Sequence, residues 1–89
     1  MTMRQMWLGS RVTDNLLVKD QTDSYRLYLR ARALARSGAF NLAAPAYQRA
    51  IELEPTLGEA LEGLGEALDS LGQTELAREK YAAARRIRA

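Results

Sequence analysis

The stretches "SGAFNLAAPAYQRAIELEP", Ser37 to Pro55, and "LGQTELAREKYAAARRIRA", Leu71 to Ala89, decide the fold. Gly38, Ala43, Tyr47 and Ala50 of the first return in the second as Gly72, Ala77, Tyr81 and Ala84, each 34 residues later. Self-similarity at such a period marks stacked supersecondary units, each too small to bury its own apolar face and completed by its neighbour.

Working outward, the apolar spacing is helical throughout. Leu27, Ala31, Leu34 and Ala35 form a stripe on a helix ending at Ser37-Gly38. Thr22 or Asp23 is its expected N-cap, and Gly38 its expected left-handed C-terminal residue. Asn41 is the expected cap of a second helix carrying Ala43, Tyr47, Ala50 and Leu53/Glu54, with Pro45 in its first turn and Pro55 as its stop. "TLGE", Thr56 to Glu59, reads as a capping box for a third helix striped by Leu57, Leu61, Leu64, Leu68 and Leu71. A fourth helix starts near Thr74 and carries Ala77, Tyr81, Ala84 and Ile87. The expectation is an all-α chain: a short α-solenoid of two antiparallel helix hairpins, with helices at about 24–37, 41–54, 57–71 and 74–88, preceded over 1–23 by an arm or an extra helix that caps one end.

These residues resemble the tetratricopeptide repeat. Leu27, Ala31, Leu34, Ala43, Tyr47, Ala50 and Pro55 fall where that family places its bulky apolar, small, aromatic and proline residues. Leu61, Leu64-Gly65, Leu68, Ala77, Tyr81 and Ala84 repeat the pattern, which divides the chain into repeats at 24–57 and 58–89 after an N-terminal segment, 1–23. Two positions depart from it: Arg30 replaces a packed leucine, so that Leu29 or the aliphatic stem of Arg30 must fill the space, and Ala89 replaces a final proline. Small residues at Ala31, Gly65, Ala43, Ala77, Ala50 and Ala84 let helix backbones approach, and the tyrosines fill the wedge between hairpins.

Composition removes most other functions. With 89 residues the chain is one small domain, and no cysteine is available for disulfides or thiolate metal sites. Histidine is also absent, so the commonest general base and metal ligand are missing. "GLGE" around Gly63 and Gly65 falls in mid-helix without the strand or lysine of a phosphate loop. The expectation is a non-enzymatic protein with no cofactor and no metal. No apolar run suits a secretory signal or membrane span, so cytoplasmic placement is expected.

The resemblance implies that the first helix of each hairpin lines a concave peptide-binding groove. Tyr25, Tyr28, Arg32, Ala35 and Arg36 would form one wall, and Glu59, Glu62, Glu66, Asp69 and Ser70 the other. Two outcomes follow from such walls: Arg32–Glu66 and Tyr28–Glu62 pair across neighbouring helices, or the acidic wall reads Lys/Arg while the tyrosines stack on an apolar residue. The acid-binding clamp of some family members is not expected, because Tyr28, Arg32 and Gly63 replace its lysine and asparagines. The leading reading is therefore a protein–protein interaction module, an adaptor or chaperone-like protein that binds a peptide segment.

Two further surfaces compete with the groove. Tyr81, Ala84 and Ile87 lie on a face that would meet a following repeat, and Trp7 sits in the apolar N-terminal segment with Met3, Met6 and Leu8. These four form the expected self-association edge of a homo-oligomer, a structural unit without a separate ligand. Arg78, Lys80, Arg85, Arg86 and Arg88 give the last helix a basic character. Weak nucleic-acid binding is the third alternative, set against the simpler effect of cations on a helix C-terminus.

Overall fold

The computed structural model describes residues 23–88. Four helices run through them: α1 over residues 23–36, α2 over Phe40–Leu53, α3 over Gly58–Ser70 and α4 over Thr74–Arg88. The described residues contain no strand. Consecutive helices pack as two hairpins, with α3 lying between α2 and α4. The expected all-α architecture and its element order hold, with boundaries shifted by one residue at several ends.

The 34-residue period is written into the turns. Gly38 and Gly72 adopt φ of +86° and +87°, the left-handed region that costs glycine nothing. The Ala39 N–H donates to Leu34 O at 2.9 Å and the Gly38 N–H to Ala35 O at 3.0 Å. The Gln73 N–H donates to Leu68 O at 2.8 Å and the Gly72 N–H to Asp69 O at 3.0 Å. This is the Schellman arrangement twice, at residues related by one period.

The helix starts differ from expectation. Ala39, not Asn41, is the N-cap of α2, and no side chain caps it. The Schellman turn leaves no freedom here: Ala39 closes α1 through its N–H and opens α2 through its carbonyl, which accepts from Ala43 at 2.9 Å. At α3 the capping box does not form, because Leu57 is the N-cap and makes no side-chain bond. Leu57 is buried in the core while Thr56 is exposed, so apolar burial sets this helix start. Pro45 is the sixth residue of α2 and lies in its second turn, on the exposed side. Water can reach the carbonyl of exposed Asn41 that the missing N–H leaves without its helical partner. Glu54, before Pro55, is extended at φ −142° and ψ 92°, as the proline ring requires of its predecessor.

One continuous core joins the first hairpin to α3. Ala31, Ala43, Tyr47, Ala50, Leu57, Ala60, Leu64 and Ala67 are buried together, with Leu27, Leu34, Phe40, Ala44, Ile51 and Leu68 packed around them. Leu53, expected on the α2 stripe, is exposed, and Ile51 takes the packed place instead. Neither Leu29 nor Arg30 is buried. The residue one period later, Leu64, is 3% exposed because α2 lies against it, whereas no described element covers that face of α1. Arg30 therefore stands at a face of α1 against which no described helix packs.

Candidate functional site

Aromatic rings set against glycines close the seams between α2, α3 and α4. Tyr47 crosses from α2 onto Gly63 of α3 so closely that a Cβ there would stand 2.3 Å from Tyr47 Cζ. One period on, Tyr81 of α4 lies over Gly65, where a Cβ would stand 2.8 Å from Tyr81 Cε1. Both glycines are mid-helix, where glycine costs about 0.5–1 kcal/mol relative to alanine. The close ring contact is what that cost secures. Gly63 was legible only as half of the Gly-Leu-Gly pattern, whose packing meaning depends on which helix supplies the ring.

Tyr25, Tyr28 and Tyr47 form a ladder of tilted rings, with centroids 5.5 Å apart for the first pair and 6.1 Å for the second. These separations fall within the favourable range for aromatic pairs. Tyr25 is 48% exposed at the outer end, and Tyr47 is 3% exposed at the inner end. The ladder thus leads from solvent to the core.

Beside it lies a cleft lined by Arg32, Ala35 and Arg36 of α1, Phe40 and Tyr47 of α2, and Glu66 and Ser70 of α3. Five of the expected groove residues, Arg32, Ala35, Arg36, Glu66 and Ser70, therefore meet around an aromatic floor. Burial pushes the Tyr47 hydroxyl above the usual tyrosine range, and Tyr28 and Glu66 push it the same way while Arg32 and Arg36 oppose them. Phe40 belongs to this floor and was missed, because it stands just ahead of the residue expected to begin the helix. Arg32 and Glu66 face one cleft without an ion pair between them, so the first of the two outcomes, pairing across the helices, does not form here.

Glu62 is separated from this group. Its carboxylate accepts from the Arg88 guanidinium of α4 instead of meeting Tyr28, and together with Tyr81 and Arg85 it lines a second concavity. Antiparallel packing of α3 and α4 brings the start of one helix beside the end of the other, which sequence separation hides. Burial raises the Tyr81 hydroxyl above its usual range, and the carboxylates of Glu66, Asp69 and Glu62 add to it. Glu59 and Asp69 are exposed on α3. Among the described residues no group of acidic side chains is arranged to hold a metal ion, and no helix is long and apolar enough to cross a membrane.

On the expected self-association edge, Tyr81 is half-buried, Ala84 is buried against its neighbours and Ile87 is 40% exposed. Ile87 also reaches back toward Gly58, where a Cβ would lie 3.8 Å from its Cγ2. Trp7 lies outside the described residues, as does the N-terminal segment over 1–22.

Residues 46–79 match the tetratricopeptide repeat family. The matched stretch is one full period, running from α2 through α3 into α4, and it contains the Tyr47–Gly63 contact and the glycine, Gly65, of the Tyr81 contact. No curated protein matches the chain.

Proposed function

We propose that this tetratricopeptide repeat protein is a non-enzymatic interaction module, adaptor or chaperone-like in role, that holds a segment of another protein in the cleft between α1 and α3. The observation that carries the reading is the meeting of Arg32, Arg36 and Glu66 around the floor of Phe40 and Tyr47, next to exposed Tyr25 and half-buried Tyr28. Such a cleft offers charge of both signs beside aromatic surface. A Lys or Arg of the bound segment meets Glu66, with exposed Glu59 and Asp69 also on α3, and an apolar or aromatic residue lies on the tyrosines. Repeats of this family generally mediate protein–protein contacts, which supports the same class of function.

The test is an array of lysine- and arginine-containing peptides probed with the wild-type chain and with Glu66→Lys. Binding that disappears in the variant, with the helical circular dichroism retained, is expected. Unchanged binding would remove the cleft from the account.

Self-assembly along α4 is the second reading, favoured by the 40% exposure of Ile87 and the half-buried Tyr81. Arg78 and Arg85 oppose it, because they occupy the positions that correspond, one period earlier, to packed Ala44 and Ile51. Light scattering across a concentration series separates the two, since only self-assembly makes the mass rise.

A further inference from the structure

Inside the array the seam between hairpins is apolar. The α2 face that carries Ala44, Tyr47 and Ile51 packs with Ala60, Leu64 and Ala67 of α3. Thirty-four residues on, the same face of α4 carries Arg78, Tyr81 and Arg85, and Arg88 lies one turn further. All three arginines are exposed. Of the three, Arg88 is ion-paired, with Glu62, whose concavity Arg85 also lines, and neither Arg78 nor Arg85 makes an ion pair among the described residues.

Two simpler explanations do not cover this pattern. Cations in the last turn favour the helix dipole, which accounts for Arg85 and Arg88. The effect fades within a turn of the helix end, and Arg78, the fifth residue of α4, gains nothing from it. Solubility alone would be served by charges of mixed sign, yet the stripe of residues 78, 81, 85 and 88 contains no carboxylate.

We infer that this face of α4 is a docking surface for an acidic helical segment of another protein, seated where the first helix of a following hairpin would lie. Its carboxylates, three or four residues apart along one helix face, meet Arg78 and Arg85, while Ala82 between them permits close approach. A second copy of the chain is a poor occupant. The outer face of α1 carries exposed Arg26 and Arg30 where α3 has Ala60 and Leu64, so copies stacked end to end would set arginine against arginine. Nucleic acid is also poorly served, because the one ring in the stripe, Tyr81, is packed over Gly65 and has limited surface to offer a base. The inference stands apart from the cleft between α1 and α3.

The experiment titrates the whole chain against a fluorescent, helix-forming 18-residue peptide with glutamates at every third and fourth position of one face. A lysine-substituted peptide and an 18-nucleotide thymidine strand serve as comparison probes. The acidic peptide is expected to bind, and more weakly as salt rises. Arg78→Glu/Arg85→Glu is expected to reduce its affinity about tenfold or more, through like-charge contact. Arg26→Glu/Arg49→Glu, with the same net charge, should retain most of it. Should the first variant lose helicity, Arg78→Gln/Arg85→Gln replaces it with a smaller loss expected. The inference is overturned by absent binding, by equal loss in both charge-matched variants or by preference for the thymidine strand. A mass that grows with protein concentration, and stops growing when Arg78 and Arg85 are reversed, overturns it in favour of a second copy.

Discussion

Helices α2 and α4 are the same element in two surroundings. Both carry alanine, tyrosine and alanine at matching places, Ala43, Tyr47 and Ala50 against Ala77, Tyr81 and Ala84, and in both the alanines are buried. The tyrosines part company. Tyr47 is packed over Gly63 of the following hairpin and is 3% exposed, whereas Tyr81 meets Gly65 of its own hairpin and remains half-buried. An identical residue in an identical register is thus buried to different extents, according to whether a described helix packs over it.

The sharpest way to break the comparison is to remove each ring. Tyr47→Ala should cost about 3–5 kcal/mol, the usual loss for a buried aromatic. A domain of this size has on the order of 5–10 kcal/mol in total, so chemical denaturation should find the variant near the edge of folding. Tyr81→Ala should cost about 1–2 kcal/mol, because much less of its surface leaves water on folding. Equal losses would show that the two seams are equally packed.

Filling the glycines is a milder probe. Gly63→Ala forces the Tyr47 ring aside, an overpacking cost of about 1–3 kcal/mol that exceeds the helical gain of about 0.5–1 kcal/mol. Gly65→Ala meets a ring that is freer to tilt, so gain and cost should cancel to within about 0.5 kcal/mol. A thermal melt of both variants checks the difference.

The smallest effect is on alkaline stability. Both hydroxyls have folded-state pKa values raised, by burial first and by neighbouring acidic groups after it. At neutral pH each tyrosine is protonated in the folded and unfolded chain alike and contributes no pH dependence. Above about pH 10 the unfolded chain releases its protons first, so stability falls as pH rises toward the folded-state value. Tyr47→Phe and Tyr81→Phe should each flatten this alkaline limb, as read from urea midpoints between about pH 9 and 11. An unaltered limb in both variants would place its origin elsewhere.

Helix number, order and type were legible because the period-34 repeat and the helical apolar spacing agree. The left-handed turns at Gly38 and Gly72 were equally legible, since glycine after an apolar stripe has few other uses. The caps were misread for an instructive reason. Asn41 and the Thr56–Glu59 pair have the right chemistry, but a shared turn residue, Ala39, and a buried Leu57 determine where those helices begin. At the cleft, Arg32, Arg36 and Glu66 were anticipated and do converge, while Phe40 was missed and the pairing of Glu62 with Arg88 was not anticipated. Those last two depend on which helices lie side by side.

By itself, then, the sequence determined a repeating pair of amphipathic helices, the glycine turns that end the first helix of each pair, and a chemistry without histidine or cysteine. Each of these depends on residues a few positions apart, or on composition. Only the tertiary structure decided that Tyr47 closes over Gly63, that Glu62 pairs with Arg88, and that Arg30 and Arg78 stand at outer faces rather than inside a seam. A side chain's burial and charge environment come from the helix packed against it, and that neighbour lies outside its own local pattern.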